Sequence, residues 1–260
     1  TQTSRGLGDV YKRQHINKTP IVDSIHLAGM GENKSNIYKT VLISEEQKSK
    51  WITAGGDPNK SIIIPVPVEV PNYGLESYIK EFGWEDKFVF GMHQRDDIHI
   101  FSPVPLEAYD EIQSEDTAFL ILGGSANHRK QAKDYQLKNV KFLDTTSDIS
   151  LIHKFLNTLD VYAHGRSDGE QCSSAIIEGL SHSLPMISHT AVSMGQLEQI
   201  GNAGVVVDGY EDYAQAMKKM MNNKNFYVEC KLNAEKRYKE IYDVSSIIKS
   251  FIDLYKEVVS

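Results

Sequence analysis

The chain has 260 residues, 40% of them hydrophobic and 24% charged, the balance of a globular protein with enough apolar material for a core. Its net charge of −7 excludes nucleic-acid binding through a broad basic face. It has no run of about 18 apolar residues, so no transmembrane segment is expected.

Residues 1–14, TQTSRGLGDVYKRQ, lack hydrophobic periodicity and the apolar centre of a signal peptide. They read as a non-native or disordered tail similar to translated sequencing adapters, which implies that the chain is a fragment. TPIVDSIH (19–26) and TVLIS (40–44) then read as strands. EEQKSKWITAGG reads as a helix closed by Gly55 and Gly56. In SIIIPVPVEV, Pro65 and Pro67, with Pro71 after them, mark a strand end and a linker.

Beyond the linker, short apolar runs alternate with helical patterns. The strands are KFVFGMHQR, expected to end at a glycine, then AFLILGGS, NVKFLD, LDVYAHG, PMISH and GVVVD. Between them PLEAYDEIQ, HRKQAKDYQ, SLIHKFLNT and SSAIIEGLSHS read as helices. This alternation predicts βα units and a parallel sheet, and the nearly all-apolar strands predict helices on both of its faces. SSIIKSFIDLYKEVV near the C-terminus places Ile247, Ile248, Phe251, Ile252 and Tyr255 on one face of an amphipathic helix.

In an open parallel sheet, ligands bind beyond the carboxyl ends of the strands. Those ends deliver His93, Gln94 and Arg95, then Gly123, Gly124 and Ser125, then His164, Gly165, Arg166, Asp168 and Glu170. Ser173 or Ser174 is suited to cap the next helix, whose free N–H groups and dipole favour an anion. Glu170 precedes that helix and Glu178 lies about one turn inside it, with seven residues between them. Acids on either side of an anion site suit a ligand with sugars flanking its phosphates. His93, His164, His182 and His189 have no metal spacing and read as non-ligands. Two cysteines without a CxxC argue against a zinc knuckle or disulfide scaffold and point to a reducing cytoplasm. No base is placed to make Cys172 a nucleophile.

Glu170, Glu178 and the following GLSHSLPMIS resemble the E-x7-E signature of retaining glycosyltransferases of the GT-B fold, family 4-like. FLILGGS, NVKFLD and LDVYAHGRSDGE resemble that family's motifs in order, and TVLISEEQKSKWITAGG resembles the end of its first domain. The resemblance implies an α/β fold of GT-B type: a doubly wound Rossmann-like donor domain plus a partial second Rossmann-like domain. Residues 15–70 would be the end of the acceptor domain with its linker, 71–243 the nucleotide-sugar-binding domain, and 244–260 a C-terminal amphipathic helix.

The implied reaction moves a hexosyl group from a nucleotide-diphosphate sugar, of UDP or GDP type, to a hydroxyl of a glycan, lipid or protein, with retention and without metal or cofactor. By resemblance, Glu178 would bind ribose hydroxyls and Glu170 the transferred sugar. Arg95 would neutralise the diphosphate. Gly91 and Gly124 would shape the donor pocket, and Phe142 and Leu143 would meet the base. Backbone N–H groups of Cys172, Ser173 and Ser174 would cradle phosphate, and His26 would approach the donor sugar. Two departures stand out: the lysine that usually follows the arginine is missing, and Gln171, Cys172 and Ser173 replace glycines. Arg95 also suits a salt bridge to Asp96 or Asp97, a reading secondary to the diphosphate role. A nucleotide-sugar epimerase or a catalytically silent nucleotide-binding module is the alternative.

Overall fold

The computed structural model describes residues 19–26, 35–69 and 74–259. The expected tail at 1–14 and the linker proline Pro71 lie outside these. The chain divides into two compact units, one formed by residues up to Ile64 with those from Ile248 onward, the other by Pro65–Ile247.

The first unit holds a parallel sheet of three strands in the order β1 (Ile21–Ser24), β2 (Ile37–Leu42), β3 (Ser61–Ile63). Helix α1 (Glu45–Thr53) starts at Ser44, whose side chain accepts the Gln47 N–H. The Gln47 side chain is buried, accepting from the Ile43 N–H at 2.7 Å and donating to the Ile25 carbonyl at 3.0 Å. An N-cap and an internal tether thus fix the helix against the strand ends, while Ile25, Leu42 and Trp51 pack together beneath it. Gly56 is required there, because a Cβ would fall 2.3 Å from the Trp51 ring.

The second unit carries a six-stranded sheet in the order β11-β9-β7-β4-β5-β6, with every pairing parallel. Its strands are β4 (Phe88–Gln94), β5 (Thr117–Gly123), β6 (Val140–Leu143), β7 (Val161–Ala163), β9 (Met186–His189) and β11 (Gly204–Val207). All seven residues of β5 are buried, as a strand covered on both faces requires. The chain runs outward from β4 to β6, then returns to the other side of β4 with β7. Strand order therefore reverses between β4 and β7, which opens a crevice at their carboxyl ends.

Gly91 lies in the middle of β4 rather than at its end. A Cβ there would come 2.5 Å from the Leu120 carbonyl oxygen and the Leu159 side chain, so close strand packing accounts for the glycine. Gly123 and Gly124 have φ of +78° and +74° and turn the chain sharply out of β5.

The connecting helices are α2 (Ile79–Phe82), α3 (Val104–Asp110), α4 (Ala126–Asp134), α5 (Ile149–Leu156), α6 (Ser174–Ser181) and α7 (Gly195–Ile200). Two helices of 14 residues, α8 (Gly209–Asn222) and α9 (Lys224–Arg237), follow the last strand. From α8, Tyr213, Met217 and Met220 enter the core, and from α9, Cys230 and Ala234. Helix α10 (Val244–Val259) ends the described chain, and from it the Glu257 carboxylate accepts the Tyr38 hydroxyl at 2.9 Å. Among the described residues no helix is long and apolar enough to cross a membrane.

Candidate functional site

At the carboxyl ends of β4 and β7 lies a cavity of about 420 Å³. Its floor and walls come from the end of β4, the loop after β7 and the start of α6. Of the expected site residues, Arg95, Glu170, Cys172, Ser173, Ser174 and Glu178 line it. Gly91, Gly124, Phe142 and Leu143 do not. Gly91 is buried within the sheet, and Gly124 donates its N–H to the Gln94 carbonyl at 2.7 Å, fixing the turn beside the β4 end. Phe142 is half-buried at the end of β6 under the Arg129 guanidinium, 4.7 Å from its ring centre. His26 belongs to the first unit, where it is exposed and 3.3 Å from the Ser24 hydroxyl.

Glu170 occupies a two-residue strand, β8 (Gly169–Glu170), paired with β10 (Ser193–Met194). Gly169 has a φ of +72°, and a Cβ there would meet the Ser193 carbonyl oxygen at 1.9 Å, so only glycine brings these segments together. Two buried glutamines of α7 hold the loop from behind. The Gln196 side chain accepts the Glu170 N–H at 3.1 Å, and that of Gln199 accepts the Ser173 N–H at 2.7 Å. The Ser173 N–H, expected to cradle phosphate, is thus held by Gln199 in this structure, as a buried N–H needs a partner. The Ser173 residue does sit at the N-cap of α6, but its hydroxyl makes no capping bond.

Around the Glu170 carboxylate stand His164, with Nε2 at 3.7 Å, and Arg166, with a terminal nitrogen at 3.3 Å. Burial pushes the Glu170 carboxyl up. The neighbouring His164, Arg166 and Ser173 outweigh burial and hold it below its ordinary value. Arg166 also grips Asp168 with two nitrogens, at 2.6 and 3.0 Å, which lowers the Asp168 carboxyl. The buried His164 ring is fixed through Nδ1 by the Ser188 hydroxyl at 2.8 Å.

Glu178 faces the cavity from α6, with Oε2 2.6 Å from His93 Nε2. Arg95 is mostly exposed and pairs with Asp97 at 3.0 Å, one of the two partners its sequence suggested. Burial pushes the Cys172 thiol up to about 11, which leaves it protonated and a poor nucleophile. Lys130 pairs with Asp134 and Arg129 donates to the Gly123 carbonyl, so neither stands in the cavity in place of the missing lysine. The cavity also holds the cation Arg166, and His93, Gln94, Tyr162 and His164 line it beside that residue. Most of these are legible as strand-end residues; Tyr162 is not, because it lies in the interior of β7.

The fold and this crevice define an α/β protein of the GT-B type. The chain belongs to the family of glycosyl transferases group 1, which it matches over residues 76–237. No curated protein sequence matches it. Among solved structures it resembles Anabaena Alr3699/HepE in complex with UDP, at a TM-score of 0.78 and 17% identity over 92% of this chain and 72% of that one. A glycosyltransferase from Rickettsia africae ESF-5 gives a TM-score of 0.74 at 15% identity, over 92% and 70% of the two chains. Sucrose-phosphate synthase from Thermosynechococcus elongatus gives 0.75 at 14%, over 96% and 70%. At such identities the likeness is one of fold.

Proposed function

We propose that this protein transfers a hexosyl group from a nucleotide-diphosphate sugar to an acceptor hydroxyl with retention of configuration. The observation that carries this reading is the pair Glu170 and Glu178 facing one cavity across the start of α6. An eight-residue helix offers its N-terminal N–H groups and positive dipole end to that cavity, suited to a diphosphate. Glu178 would accept the ribose hydroxyls. Glu170, kept ionised by His164 and Arg166, would accept hydroxyls of the sugar. Arg95 would leave Asp97 for the diphosphate, and the helix start would stabilise the charge that grows on the leaving group.

Among the described residues no carboxylate is set out as a covalent nucleophile, so same-face attack assisted by the leaving group is the proposed course. His26 is given a part in transfer by resemblance alone. The reading uses no cofactor or metal. It includes a cytoplasmic setting, which the two free cysteines support. A glycan, lipid or protein would supply the acceptor hydroxyl.

Thermal unfolding with UDP, GDP and ADP tests the donor site. A nucleotide at about a hundred times its Kd adds roughly 2.7 kcal/mol to stability. Stabilisation by one nucleotide, lost in Glu178→Ala, is expected; none from any of the three overturns the reading. Retention is tested by the anomeric configuration of the product, and an inverted linkage would overturn it. Interconversion of the free sugar nucleotide would instead identify an epimerase.

A further inference from the structure

The contact between His93 and Glu178 has more structure than an ion pair. The carboxylate is an acceptor, so the 2.6 Å contact needs a hydrogen on His93 Nε2. On the far side of the ring, the Tyr162 hydroxyl lies 3.1 Å from Nδ1. That hydroxyl accepts the His93 main-chain N–H at 3.3 Å. Tyr162 is fully buried, and burial pushes its hydroxyl well up, so it keeps its proton and can donate it. The Tyr162 hydroxyl also donates to the His93 main-chain carbonyl at 3.3 Å, so it holds both the backbone and the ring of His93. The Phe155 and Tyr162 rings stand edge-on to it at 5.6 and 5.5 Å and hold its plane. The hydrogen-bond chain therefore runs from a buried tyrosine through an oriented imidazole to one oxygen of Glu178, and the other oxygen is left to meet a ligand.

We propose that His93 is a positioning residue that fixes the Glu178 carboxylate so that the site reads the hydroxyls of ribose. The inference rests on the proposed donor site. A carboxylate held by a second bond presents one oxygen in one direction, whereas a released carboxylate samples rotamers and turns toward water. A fixed acceptor discriminates against a ligand lacking the matching hydroxyl, because the acceptor is then left without its partner.

The test titrates UDP, GDP and ADP, each beside its 2′,3′-dideoxy counterpart, into wild type, Glu178→Ala, His93→Phe, His93→Gln and Tyr162→Phe. In wild type the ribose form of the bound nucleotide is expected to bind ~10- to 100-fold more tightly than the dideoxy form, the range for a hydrogen bond to a charged group. In His93→Phe this ratio falls to within ~3-fold of the Glu178→Ala value, while His93→Gln, which can donate to Glu178, keeps most of it. A merely structural role would weaken both forms alike and leave the ratio unchanged, and that result in His93→Phe overturns the proposal. If His93→Phe does not fold, Tyr162→Phe decides: a lowered ratio supports the chain, and an unchanged one overturns it. Absence of binding by every nucleotide in wild type sinks the donor site, and this inference with it. Ribose selectivity that is lost in Glu178→Ala and kept in His93→Phe sinks only the role of His93.

Discussion

At Glu170, electrostatics set by three neighbours give a stability signature independent of any ligand. Its carboxyl lies below its ordinary 4.5 in the folded chain, so its ionised form is favoured by folding. That contribution is present above the ordinary value and is lost as pH falls through the lowered folded one. The stability gap between wild type and Glu170→Gln is thus expected to be full at neutral pH and to close as pH falls below 4.5, measured by denaturant unfolding. A gap that stays constant with pH would show that the carboxylate gains nothing from His164 and Arg166. Glu178→Ala is expected to weaken nucleotide binding by ~10- to 100-fold, read by calorimetry, for the loss of a charged acceptor. Both acids and Arg95 were legible in the sequence, because strand-end loops and a helix start are local signals. The role of Arg166 is not legible in the sequence, since its ties to Asp168 and Glu170 depend on how that loop folds back on itself.

Local elements carry a second pH signature. Helix α4 begins at Ser125, whose N–H donates to Nδ1 of the buried His128 at 3.1 Å. Burial, then the charge of Arg129, lowers the His128 imidazole from 6.5 to about 4. The unfolded chain takes up this proton first, so stability is full above 6.5 and declines down to about 4, by ~3 kcal/mol in all. His128→Gln is expected to flatten that part of the pH profile of unfolding. Where β8 meets β10, Gly169→Ala forces a left-handed backbone and a clash with Ser193, so it should cost at least ~1 kcal/mol and impair nucleotide binding, read from thermal unfolding with and without UDP. The strands of the larger sheet were legible because each is a short, nearly all-apolar run. The two-residue strands were not, since four residues carry no period. Helix α9 is not legible in the sequence: it has Val228 and Leu232 exposed and buries only Cys230 and Ala234, so its apolar residues mark no single face.

For the whole molecule, every residue lining the cavity belongs to Pro65–Ile247. That unit has its own sheet and core, so a fragment of residues 65–247 is expected to bind nucleotide within about threefold of the full chain, a difference under ~1 kcal/mol. Loss of binding in a folded fragment would place part of the donor site elsewhere. The doubly wound order could be expected from alternating strands and helices, but the grouping of the C-terminal helix with the first unit could not, because an amphipathic face does not say which core it covers. That grouping has a consequence for how the protein is made. The first unit is discontinuous in sequence, its sheet and helix α1 drawn from residues up to Ile64 and its part of helix α10 from residues from Ile248 onward. The second unit emerges whole from the ribosome while the first still lacks the residues of helix α10 that belong to it. The strands of the first unit therefore wait through the synthesis of an entire domain before the residues that complete that unit are made.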